Sequence, residues 1–112
     1  MGREGPETRL VKKARDAAKK KYGERVLVIK QHGNGYSQAG VSDLLACLDG
    51  VFVAAEAKAP ESYGGSVERA IEKGPSLKQR AFIESVKKTG GVAGVFASVD
   101  GFLALLEEAE KR

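Results

Sequence analysis

Two strand-like runs, Leu44 to Leu48 and Val51 to Lys58, are separated by only Asp49-Gly50, and this spacing constrains the fold more than any other stretch of the chain. An Asp-Gly pair tolerates the positive backbone angles of a two-residue hairpin turn and is the strongest short-range signal for one. A tight turn also fixes register. Leu48 then faces Val51, Cys47 faces Phe52, Leu45 faces Ala54 and Asp43 faces Glu56. Facing residues have Cβ atoms about 4.5 to 5.5 Å apart, and like charges there are destabilising unless something compensates. A three-residue turn would shift the pairing by one and bring Asp43 opposite Ala55. Glu56 and Lys58 are two residues apart, so both emerge on one face with Phe52 and Ala54.

The tight register therefore gathers two acids and an ammonium. A divalent cation is a natural compensator, since magnesium prefers one or two carboxylates completed by waters and phosphate oxygens. For phosphodiester hydrolysis the set is chemically sufficient: a metal at Asp43 and Glu56 acidifies water and steadies phosphate, while Lys58 orients the nucleophile and offsets developing charge.

Around the hairpin the pattern alternates. Leu10, Val11, Ala14, Ala17, Ala18 and Tyr22 form a helical stripe over Pro6 to Tyr22, with Pro6 suited to the first turn and Gly23 to the stop. Glu7 projects from the inward face of that helix, where either interaction with the helix N-terminal dipole or a functional role accounts for it. Val26 to Ile29 reads as a buried strand, and Gln31 to Gly40 as a polar, glycine-rich loop. Residues 59–75 read as a surface excursion with a short helix around Val67 to Ile71. Within it, Tyr63, Gly64 and Gly65 suit either a substrate-gripping segment or a mobile solvent loop. Ser76 and Gln79 have capping-box spacing, and Phe82, Ile83 and Val86 give the next helix its stripe up to Gly90-Gly91. Gln79 falls on the inward face as well, so a cap and a site role are both open to it. Val92 to Ala97 is a further strand. Asp100 is expected to cap a last helix buried through Phe102, Leu103, Leu105, Leu106 and Ala109. The order is helix, three strands, helix, strand, helix, an α/β architecture with helices flanking a mixed central sheet.

With 112 residues the chain suits one domain over residues 1–112, with a flexible N-terminus at residues 1–5. The single cysteine, Cys47, lies in an apolar run and reads as a core thiol, which excludes an intrachain disulfide or a cysteine-rich zinc site. No membrane-length apolar stretch or signal-peptide pattern is present, so a reducing cytoplasm is expected. The charge of +4 and pI near 9.3 are compatible with a polyanionic partner, although a run such as Lys19-Lys20-Lys21 also suits a solvated helix face.

Gly40-Val41-Ser42-Asp43, an apolar strand and then Glu56-Ala57-Lys58 resemble the PD-(D/E)xK nucleases, and more closely the virus-type replication-repair nuclease (VRR-NUC) domains. In that family a glutamate-bearing first helix precedes a glycine-rich loop, a Gly-x-Pro-Asp turn, a Glu-x-Lys strand, a helix with an early glutamine and a Gly-Gly strand. The likeness covers about residues 7 to 106 and departs at Ser42, where the family commonly has proline. It implies a restriction-endonuclease-like core and a Mg²⁺- or Mn²⁺-dependent DNA endonuclease. Asp43 and Glu56 would hold the metal, Lys58 would position water and phosphate, Gln79 would help fix the site, and Glu7 would be the helix-one acid. It further implies a homodimer acting on branched DNA such as four-way junctions, in a bacterial or phage-infected cell. His32, Tyr36 and Lys78 are candidate DNA contacts beside the site, and a plain loop role is also open to His32. Two other readings stand beside this one. The first is a non-catalytic nucleic-acid-binding module of a replication or packaging complex; the second is an RNA-processing enzyme using His32.

Overall fold

The computed structural model describes residues 4–31 and 40–112. The first helix, α1 (Pro6–Tyr22), starts on a proline and stops at Gly23, whose φ of 57° most side chains avoid. Strand β1 (Val26–Lys30) pairs antiparallel with β2 (Leu44–Leu48), which pairs antiparallel with β3 (Val51–Ala57). Asp49 (φ 51°) and Gly50 (φ 85°) both adopt positive φ, as the two-residue turn requires. The register follows from it: Leu48 faces Val51, Cys47 faces Phe52 and Leu45 faces Ala54.

The chain then makes a 3-10 turn (Pro60–Tyr63), a short helix α2 (Val67–Lys73) and α3 (Leu77–Lys88). Residues 59–75 are thus more ordered than a plain surface excursion, and they insert Ala59, Ala70 and Pro75 into the protein. Helix α3 begins in a reciprocal capping box between Ser76 and Gln79. Strand β4 (Val92–Phe96) runs parallel to β3, and α4 (Val99–Glu110) closes the chain. Its cap is Ser98, whose side chain accepts from the Gly101 amide, and not Asp100, which lies within the first turn.

Among the described residues the result is a four-stranded mixed sheet in the order β1-β2-β3-β4 with four α-helices. Alternation along the strands separates two cores. Val28, Leu44, Ala46, Val53, Ala55 and Ala57 face α1 and α4, whose Val11, Ala14, Ala18, Phe102 and Leu106 complete the larger core. Of the residues expected to bury α4, Leu103 and Leu105 only pack against its edge. Ala54 and Ala93 face α3 through Ile83 and Val86 in a smaller second core. Glu56 lies on the α3 side, at the end of the sheet where α1 and α3 both begin.

Candidate active site

Glu56, the next-to-last residue of β3, is 2 % exposed in a strand whose other residues are alanine, valine and phenylalanine. Burying a carboxylate is costly unless it is paired and hydrogen-bonded, so its neighbours decide what state it holds. The Gln79 side-chain amide donates to Glu56 Oε2 at 2.9 Å, and the Lys58 ammonium stands 3.6 Å from the same oxygen. Among the described residues, no hydrogen-bond donor reaches the other, buried oxygen, Oε1.

Asp43 is brought beside Glu56 by a device that differs from the expected strand pairing. The ladder between β2 and β3 ends at Leu44 opposite Ala55, one pair short of Asp43 and Glu56. Asp43 instead sends Oδ2 across to accept the Ala57 amide at 2.8 Å, while its main-chain carbonyl accepts the Gln31 amide at 2.8 Å. At this point β3 has turned its attention to β4, with the Lys58 amide donating to the Phe96 carbonyl at 3.0 Å. The Asp43 carboxylate thus takes the place that a further β2 carbonyl would hold if the ladder continued.

The electrostatic consequence falls on Glu56, whose carboxyl is pushed up to about 9. Burial is the largest cause, followed by contact with and charge from Asp43; Lys58 opposes the rise and Glu7 adds to it. Two ionised carboxylates are both acceptors, so their contact is favourable only when one keeps a proton or a cation replaces it. Glu7, in the first turn of α1, is also raised, by burial first and then by Asp43, against Lys58 and the Ala59 amide that donates to it.

Gln79 resolves the two roles left open for it by filling both. Its Oε1 accepts the Ser76 amide at 2.8 Å, completing the capping box, and its Nε2 donates to Glu56. Each end of the side-chain amide has a different task. Lys58 is held less visibly. Its aliphatic stem runs beneath Gly74, where an added Cβ would come within 2.7 Å of Lys58 Cγ and 2.4 Å of the Ala70 carbonyl. Gly74 has ordinary helical angles (φ −70°, ψ −47°), so space and not backbone conformation makes glycine fit there. Gly40 likewise lies against the Lys78 carbonyl, 2.5 Å from an added Cβ, tying the segment that enters Asp43 to the start of α3.

The structure thus brings together Glu7, Asp43, Glu56, Lys58 and Gln79. Lys78 sits at the second position of α3 with its side chain exposed. His32 and Tyr36 lie outside the described residues. Gly74 was not legible as a site residue, because a glycine after a short helix reads as a stop and nothing nearby points to a lysine sixteen residues earlier. Ser42 is fully buried, and its hydroxyl has no partner.

The donor set fits a hard divalent cation. An orphaned carboxylate oxygen beside a second carboxylate is an oxygen-rich, cation-poor place, and among the described residues no three His, Cys, Asp or Glu side chains gather as a metal-holding group. Two carboxylates completed by water and phosphate oxygens are a usual magnesium arrangement, whereas they are too few for an all-protein cage. Among the described residues no helix is long and apolar enough to cross a membrane. A scan against protein-family models, a search of curated proteins and a search of solved structures each found no match to this chain.

Proposed function

We propose that the chain is a metal-dependent DNA endonuclease with a restriction-endonuclease-like core of the PD-(D/E)xK kind, acting as a homodimer on branched DNA. The observation that carries the reading is the buried Glu56 carboxyl, placed against Asp43 with Oε1 lacking any donor. A structural acid at this depth would have both oxygens satisfied or would be replaced by an apolar residue at little cost. Mg²⁺ or Mn²⁺ held by Asp43 and Glu56 would supply Lewis-acid polarisation of the scissile phosphate and a more acidic water.

The chain's own groups account for the remaining needs of hydrolysis. Lys58 places an ammonium beside the carboxylates, where it draws in a phosphate oxygen and offsets charge as the bond breaks. Gln79 fixes the Glu56 carboxylate through Oε2 and leaves Oε1 facing the cluster. Asp43 is immobilised by the Ala57 amide, and Glu7 adds negative charge from the side of α1. Branched DNA and the homodimer rest on the likeness described from the sequence, in which two sites would make two symmetric cuts.

The test is cleavage of labelled four-way junction, flap and linear duplex DNA with Mg²⁺, Mn²⁺ or EDTA, comparing the native chain with Glu56→Ala. Cutting that needs the metal and disappears in the variant is expected, with the junction cut fastest. Binding without cutting under every metal would overturn the reading in favour of a non-catalytic module.

A further inference from the structure

Charge is unevenly divided between the two helices that share one face of the sheet. Helix α1 holds seven basic residues against Glu7 and Asp16, a net of +5 that exceeds the +4 of the whole chain. Helix α4 holds Asp100, Glu107, Glu108 and Glu110 and no basic residue. The two neutralise each other at one end only. Lys21, in the last turn of α1, bonds Glu107 at 2.9 Å, and Arg25, just past it, bonds Glu110 at 3.0 Å.

Upstream of that end the compensation stops. Arg9, Lys12, Lys13, Lys19 and Lys20 are all exposed, opposite the buried stripe of Val11, Ala14, Ala18 and Tyr22. Lys12 pairs with Glu4, and Arg9 donates to the Glu4 carbonyl. Lys13, Lys19 and Lys20 make no ion pair among the described residues. The lysines of the last turn suit the negative end of the helix dipole. Arg9, Lys12 and Lys13 lie in the first half, where the dipole offers them nothing. Glu7 leaves the same helix on the other, inward face, toward the candidate site.

We propose that the solvent face of α1, through Arg9, Lys13 and Lys20, binds the sugar-phosphate backbone of duplex DNA. The proposal rests on the nuclease reading for DNA as the polyanion this face meets. From Arg9 to Lys20 the face runs about 16 Å at 1.5 Å per residue, alongside about five phosphates of one strand. Duplex fits better than single-stranded nucleic acid, because single-strand surfaces interleave cations with exposed aromatic rings for base stacking. The one aromatic of α1, Tyr22, is buried. A membrane surface fits poorly too, since the apolar side of α1 is spent in the core.

Fluorescence anisotropy on a labelled 20-base-pair duplex in EDTA, across a series of NaCl concentrations, tests this. The triple variant Arg9→Gln, Lys13→Gln, Lys20→Gln is expected to bind at least about tenfold more weakly, with the slope of log K against log salt shallower by about 2 to 3. A control triple, Lys87→Gln, Lys88→Gln, Lys111→Gln, removes equal charge from the far ends of α3 and α4 and should change the slope by less than about 1. An unchanged slope in the α1 triple, equal effects of the two triples, tighter binding of single strands, or no duplex binding by the native chain would each overturn the proposal. Cutting by the native chain with an unchanged α1 slope would remove this surface and leave the nuclease reading. The expected slope change without any cutting would do the reverse.

Discussion

The β2–β3 hairpin has acids at both of its ends, and the protein treats them in opposite ways. At the turn, Asp49 pairs with Arg25, which also reaches Glu110; all three are well exposed, and Arg25 holds the Asp49 carboxyl below its ordinary value. At the open end, Glu7, Asp43 and Glu56 have Lys58 as their one cation among the described residues, and burial with like charge pushes Glu56 up to about 9. The turn has one guanidinium for two acids in water, an arrangement that costs little and contributes little. Among the described residues the open end has one ammonium for three acids, one of them fully buried and two half-buried. Strongly perturbed carboxyls of this kind cluster at functional sites.

Exchanging the cations tests that contrast most severely. Lys58→Met should lower metal-dependent cleavage by about 10² to 10³-fold, the usual cost of losing a charged group at a phosphoryl site. Arg25→Met should leave cleavage unchanged. Equal losses in a cleavage time course would mean that the two ends do not differ in kind.

Stability against pH separates the ends next. Folded Glu56 keeps its proton between about 4.5 and 9 while the unfolded chain has released it, so without divalent cations stability should fall as pH rises through that window. The slope is at most about 1.4 kcal/mol per pH unit. Asp49 acts with the opposite sign: its lowered carboxyl stabilises the fold above its ordinary value, and this is lost as pH falls through the lowered one. Denaturant titrations of the native chain and Glu56→Gln from pH 5 to 9 should show the slope only in the native chain. A flat native profile would mean that Glu56 is not held protonated.

Gly74→Ala is expected to reduce cleavage by about tenfold by displacing the Lys58 stem, and to cause a smaller further loss in a Lys58→Ala background, where only the clash with the Ala70 carbonyl remains. Additive losses would show that Gly74 acts elsewhere. The smallest change is Ser42→Ala, which removes a buried hydroxyl without a partner and should raise stability by about 1 kcal/mol in a denaturant titration. A loss of stability would reveal a hydrogen bond made by Ser42.

What was legible in the sequence was governed by local rules. The Asp49-Gly50 turn determined register because positive φ at two adjacent positions leaves few alternatives, and the extent of α1 followed from Pro6, Gly23 and a clean stripe. The α4 cap was misplaced because Ser98 and Asp100 are both good caps two residues apart, and Val99, being β-branched, reads as the tail of a strand. The hairpin register points Asp43 toward Glu56, but the ladder ends at Leu44 and Ala55 and the two meet through the Asp43 carboxylate accepting the Ala57 amide, which sequence spacing does not reveal. The contact of Gly74 with Lys58 joins segments with no shared periodicity, so only the folded chain displays it.

The divided amide of Gln79 makes the start of α3 and the acid cluster a single cooperative unit. Turning that side chain over would give up its bonds to the Ser76 amide and to Glu56 at once, so neither can be surrendered alone. Whatever settles on Glu56 therefore restrains the first turn of α3, and fraying of that turn loosens the carboxylate. Hydrogen exchange at the Ser76 amide would then slow on loading the cluster, reporting occupancy from a backbone position that touches no ligand.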